Sequence, residues 1–134
     1  MRAVYAIVID DSSAMRMILR RIVSNLGFEV TLAEHGRDAL DKMASATHPF
    51  DVALIDWNMP VMNGLEFIQE VRGDPRYGAV TLMMVTTESE QSQMVRALAA
   101  GAHEYLIKPF TPDAVAEKLE ILGLVSAPGI TAGV

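Results

Sequence analysis

The chain contains no cysteine, which excludes a disulfide framework, thiolate metal centres and cysteine nucleophiles together. It is also short of cations: 11 Lys and Arg stand against 17 Asp and Glu, a formal charge of −6. Phosphate-backbone binding needs the opposite, a dense basic footprint, so nucleic acid is not an expected partner. Long hydrophobic runs are missing as well. The first, Ala3 to Ile9, stops at Asp10-Asp11, too short for a signal-peptide core or a membrane span. No membrane insertion and a cytoplasmic setting are therefore expected. No glycine-rich loop follows that run to receive a pyrophosphate, and no internal repeat, low-complexity block or heptad run appears.

What is present is a chain of 134 residues, 51% of them hydrophobic. That is one domain's length, able to bury roughly two-thirds of the surface its unfolded form exposes. Short runs rich in Val, Ile and Leu, at 4–9, 30–33, 52–55, 80–85 and 105–107, read as strands buried on both faces. Between them lie amphipathic stretches. Met15, Ile18, Leu19, Ile22, Val23 and Leu26 repeat at helical spacing, with Ser12 or Ser13 as cap and Gly27 at the end. Further helices are expected at about 37–44, 64–72 with Asn63 and Glu66 as a capping box, about 90–100, and from Thr111-Pro112-Asp113 onward. The order is a strand-helix unit repeated five times, an α/β fold with a parallel five-stranded sheet covered on both faces. The domain is expected over 1–122. Residues 123–134, uncharged and containing Gly, Ala and Pro, read as a short C-terminal tail.

In such a sheet, ligands bind beyond the carboxyl ends of the strands. The residues there are polar: Asp10-Asp11 after the first run, Asp56 after the third, Thr86-Thr87 after the fourth, Lys108-Pro109 after the fifth. Carboxylates brought together repel unless a cation intervenes. Oxygen ligands without Cys or a nearby His favour Mg²⁺, with Mn²⁺ as the alternative, over Zn²⁺. Lys108, one of three lysines, sits in the apolar string 105–110 and needs an anionic partner there. Metal ligands, a fixed cation and the Thr86 hydroxyl around one carboxylate make a layout for phosphoryl transfer, with Asp56 as the nucleophile.

These residues resemble the receiver domains of two-component response regulators. The motifs are Asp10-Asp11, Asp56-Trp57-Asn58-Met59-Pro60 with Asn63-Gly64, Thr86, Gly101-Ala102, Tyr105 and Lys108-Pro109-Phe110, in family order over about residues 4–122. The string at 56–60 looks nearest to the family's chemotaxis members. The resemblance implies the flavodoxin-like strand order 2-1-3-4-5, for which the chemotaxis fold is a known instance. It implies that Asp56 is the phosphoacceptor, supplied by a histidine kinase. Mg²⁺ would be held by Asp11, Asp56 and the Asn58 backbone carbonyl, with Asp10 acting mainly through water. Lys108, Thr86 and Thr87 would face the phosphoryl group, Thr86 and Tyr105 would form the switch, and Asn58 and Glu88 would tune dephosphorylation. A cis Lys108-Pro109 bond is also implied.

The function this implies is a stand-alone signalling switch, not an enzyme acting on an external substrate. It would bind a downstream protein through the fourth helix, fifth strand and fifth helix, as a monomer or a phosphorylation-dependent dimer. A phosphorelay intermediate, a regulator of a kinase, and the receiver part of a longer regulator are the alternatives. An aspartyl-phosphate phosphatase is disfavoured because no second carboxylate stands two residues after Asp56. Two departures from the chemotaxis pattern are Glu90-Gln91 in place of a basic pair, and Thr87 in place of a smaller alanine. Trp57 is expected half-exposed beside the site. Arg16 and Arg20 are expected on a solvated helix side, His35, His48 and His103 on the surface, and Met83 and Met84 in the core.

Overall fold

The computed structural model describes residues 3–125; positions 126–134 of the expected tail lie outside the described residues. The elements are β1 (Val4–Ile9), α1 (Ser13–Asn25), β2 (Phe28–Ala33), α2 (Gly36–Ser45), β3 (Val52–Ile55), α3 (Gly64–Arg72), β4 (Thr81–Thr86), α4 (Gln91–Ala100), β5 (Glu104–Ile107) and α5 (Pro112–Ile121). The five strands form one parallel sheet in the order β2-β1-β3-β4-β5. Alternation along each strand divides the core in two. Ile7, Ile9, Ala53, Ile55, Leu82 and Met84 face one side, against Phe67, Ile68 and Val71 of α3 and Ala97 of α4. Ala6, Val8, Leu54, Met83 and Val85 face the other, against Leu19 and Val23 of α1 and Val115 and Leu119 of α5. Burial on both faces is why these strands read as continuous apolar runs.

Helix ends follow local chemistry. Ser12 accepts the Met15 N–H, Asn63 and Glu66 form the reciprocal capping box, and Thr111 accepts the Ala114 N–H ahead of Pro112. Gly27, at φ 100, takes the left-handed conformation that closes α1. Several boundaries differ from the sequence expectation. β2 begins at Phe28, since Phe28 is buried and pairs with Val4 although Glu29 beside it is exposed. β4 runs one residue later than expected, so Thr86 is its last residue and fully buried. A 3-10 turn at Pro75–Tyr77, capped by Asp74, follows α3 in addition to the elements the sequence predicts. The cap of α2 is His35, whose Nδ1 accepts the Asp38 N–H. Among the described residues no helix is long and apolar enough to cross a membrane.

Candidate functional site

Sheet register assembles the site. Ile9 pairs with Ile55, so the residues that follow them, Asp10 and Asp56, leave the sheet side by side; the Asp56 N–H donates to the Ile9 carbonyl at 3.0 Å. Thr86 pairs with Ile107, and the Lys108 N–H donates to the Thr86 carbonyl at 2.9 Å. Four chain segments thus deliver polar side chains to one edge of an otherwise apolar sheet.

Asp10, Asp11 and Asp56 each offer a carboxylate oxygen within 4.8 Å of the others. Lys108 Nζ donates to Asp10 Oδ2 at 2.7 Å and lies 3.7 Å from Asp56 Oδ2. The other Asp10 oxygen accepts the Ser12 N–H at 2.9 Å. Asp10 is 1% exposed and Asp56 8%, so one ammonium faces two buried carboxylates with a third at the rim. Burial pushes the Asp56 carboxyl above its ordinary range, and the Asp10 charge adds to that; Thr86, Lys108 and the Trp57 N–H pull the other way. Such a donor set, all oxygen and more anionic than its one cation balances, fits a hard divalent ion. Asp11 is exposed, and among the described residues no hydrogen bond or ion pair engages its carboxylate.

Of the remaining anticipated residues, Thr86 is buried at the end of β4. Thr86 Oγ1 accepts from the Trp57 N–H at 3.3 Å and the Glu88 N–H at 3.2 Å, tying the end of β4 to the loops after β3 and β4. Thr87 and Asn58, which directly follow β4 and Asp56-Trp57, are exposed. Tyr105 is buried, and its hydroxyl donates to the Glu88 carbonyl at 2.7 Å. Burial, with the Glu88 and Asp56 charges, pushes that phenol up to about 12. The Lys108-Pro109 bond is cis, as anticipated.

Trp57 corrects an expectation: it is buried, 6% exposed, its carbonyl accepting the Gly64 N–H at 2.8 Å and its side chain part of the apolar cluster that includes Leu65, Phe67 and Ile68 of α3. Arg16 corrects another. Its side chain is 15% exposed, and Nη1 donates to the Asp10 carbonyl at 2.7 Å instead of reaching into solvent. His48 is not a bare surface residue either, since its ring stacks on Tyr5 with centroids 3.6 Å apart. Two features of the loop after Asp56 escaped the sequence reading. Val61, at φ 68, is the centre of a tight turn closed by the Met62 N–H on the Pro60 carbonyl at 2.7 Å. Gly64 lies so close to Asp56 that a Cβ there would stand 2.4 Å from the Asp56 carbonyl oxygen. Nothing at 60–62 signals that turn in sequence, because a β-branched Val is among the residues least disposed to a positive φ, and Asn63-Gly64 beyond it belong to the cap and first position of α3.

Residues 6–120 match the response regulator receiver domain family. The chain is 44% identical over 117 residues to chemotaxis protein CheY1 of Helicobacter pylori, covering 87% of this chain and 94% of that protein. It is 43% identical over 125 residues to a chemotaxis protein CheY homolog of Campylobacter jejuni, covering 92% and 95%. Among solved structures, chemotaxis response regulator CheY4 of Vibrio cholerae superposes with a TM-score of 0.83 at 35% identity, over 90% of this chain and 99% of that one.

Proposed function

The chain belongs to the response regulator receiver domain family, and from that premise we propose that it is a chemotaxis signalling switch of the CheY type, phosphorylated on Asp56. The observation that carries this reading is the cluster of Asp10, Asp11 and Asp56 around Lys108 at the carboxyl edge of the sheet. Its chemotaxis assignment rests on the named relatives.

In this reading a cytoplasmic histidine kinase supplies the phosphoryl group. An Asp56 carboxylate oxygen attacks phosphorus, the P–N bond of the phosphohistidine breaks, and the imidazole leaves with the bonding pair. Asp11, Asp56 and the Asn58 carbonyl would hold Mg²⁺, which when bound offsets charge on the phosphoryl oxygens. Asp10 contributes charge, and its carboxylate is held by Lys108 and the Ser12 N–H. Lys108 is already within 3.7 Å of Asp56, close enough to pair with a phosphoryl group there. Burial of Asp56 keeps competing water scarce.

Transmission uses Thr86 and Tyr105. Thr86 is fixed through its acceptor oxygen to Trp57 and Glu88, so turning its hydroxyl toward a phosphoryl group displaces the loop after β4. The Tyr105 ring, bonded to the Glu88 carbonyl, reports that displacement to the face made by α4, β5 and α5, where a downstream protein binds. Asn58 and Thr87, both exposed, govern access of water, and with Glu88 set the lifetime of the phosphoryl group.

The test follows Trp57 fluorescence on adding Mg²⁺ and then acetyl phosphate or beryllofluoride, with intact mass read in parallel. A saturable, Mg²⁺-dependent change and one added phosphoryl group, both lost in Asp56→Asn, are expected. A phosphoryl adduct that persists in Asp56→Asn would place the acceptor elsewhere.

A further inference from the structure

The turn between β1 and α1 carries two carboxylates with unequal support. Asp10 is held at both oxygens, by Lys108 and by the Ser12 N–H. Asp11 has no such partner among the described residues, yet its carboxylate lies within 4.8 Å of the other two. No side-chain contact fixes it, so the backbone that bears it sets the position of its Cβ and with that which of its rotamers reach the cluster.

That backbone is pinned by Arg16. The peptide joining Asp10 to Asp11 presents its carbonyl to Arg16 Nη1 at 2.7 Å, a charge-assisted bond. Glu34, in the loop after β2, is a solvent-exposed neighbour of the guanidinium, 4.0 Å from Nη2, and adds little to this hold. Arg16 itself is fixed in the first turn of α1, its N–H donating to the Ser12 carbonyl at 2.9 Å. One side chain thus ties the end of β1 to the start of α1.

We propose that Arg16 is a positioning residue for the divalent-cation site: by holding the Asp10–Asp11 peptide plane it keeps the otherwise unsupported Asp11 carboxylate aimed at the ion. The inference rests on reading the acidic cluster as that site. Charge alone predicts the opposite effect, because a guanidinium beside a cation repels it and its removal then tightens binding. The sign of the effect decides between the two.

Mg²⁺ titrations of the full chain, followed by Trp57 fluorescence, provide the test, with thermal stability in EDTA as the control for folding. Arg16→Met, which keeps the stem and removes the donor, should weaken Mg²⁺ about tenfold, the scale of lost outer-shell support at metal sites, while still unfolding cooperatively in EDTA at a modestly lowered midpoint, as expected for one lost charge-assisted bond. Arg16→Lys should recover most of the loss. In an Asp11→Asn background the Arg16→Met effect should nearly vanish, since residues acting through one another are not additive. If Arg16→Met does not fold, Arg16→Gln takes its place with the same expectations. Unchanged or tighter Mg²⁺ binding, or an equal loss without the Asp11 carboxylate, overturns the positioning role alone. A wild-type chain that ignores Mg²⁺ overturns the cation site, and this inference with it.

Discussion

Lys108 lies closer to Asp10, at 2.7 Å, than to Asp56, at 3.7 Å. The ammonium therefore belongs to a buried pair with Asp10 before any phosphoryl group arrives, and its apolar stem and 10% side-chain exposure leave little water to replace that partner. Removing one member of a buried pair strands the other charge, at a cost of about 3–5 kcal/mol. Lys108→Ala should lower stability by about 3 kcal/mol or more in EDTA at neutral pH, measured by urea unfolding. Mg²⁺ should restore part of it, because a ligand bound only by the folded state shifts the equilibrium by mass action. An unchanged midpoint in EDTA would show that the pair contributes nothing to stability.

Folding makes Asp56 a weaker acid than an exposed aspartate. Its folded-state pKa is raised above 3.8 by burial first and by Asp10 after that. A carboxyl raised on folding contributes stability that is complete below the unfolded pKa and is lost as pH rises through the folded value. Metal-free protein should thus lose stability as pH climbs above about 3.8 through that value, and Asp56→Asn should lack this component. The mutant's advantage over wild type should grow with pH and shrink on adding Mg²⁺. Parallel pH profiles for the two proteins would contradict the buried, like-charged environment of Asp56.

Gly64 approaches the site where no side chain fits. A Cβ would meet the Asp56 carbonyl oxygen at 2.4 Å and the Trp57 Cα at 3.0 Å, both backbone atoms that cannot rotate away. Gly64→Ala should cost about 2–3 kcal/mol, at the upper end for overpacking, and should weaken Mg²⁺ binding because the strain is relieved by moving Asp56. A mutant with wild-type stability and wild-type Mg²⁺ affinity would mean that this loop yields freely.

His103 joins α3 to the sheet at the opposite edge. Its Nδ1 accepts the Leu82 N–H at 3.1 Å, and the Arg72 guanidinium lies 3.4 Å from the same nitrogen. Partial desolvation on the side of the ring that faces β4, first, and the Arg72 charge, second, hold the pKa of this otherwise exposed histidine below 6.5, against the Leu82 N–H bond. A base depressed on folding contributes stability that is present above the unfolded pKa and lost as pH falls toward the folded one. Urea midpoints should drop as pH falls below about 6.5, and His103→Ala should flatten that limb while lowering the midpoint at pH 8. Identical acid limbs would remove His103 from the account.

Much of this molecule was written locally. The apolar runs, the helical stripe of α1, the Asn63–Glu66 capping box and the Thr111-Pro112 start of α5 are each decided by neighbours within a few residues. The cluster itself was legible because a parallel strand ends where its apolar run ends, so Asp10, Asp56, Thr86 and Lys108 announce a shared edge in sequence. The tertiary structure decided what depends on approach between distant segments. Register placed Ile9 opposite Ile55 and so Asp10 beside Asp56. Packing in the cluster shared with α3 buries Trp57, for which the sequence alone predicts half-exposure. Arg16 reads as one more charge on a solvated helix until β1 and β2 bring the Asp10 carbonyl and Glu34 within its reach. Periodicity records which face of an element is apolar, whereas a hydrogen bond between a side chain and a backbone carbonyl exists only once both ends have been positioned in space.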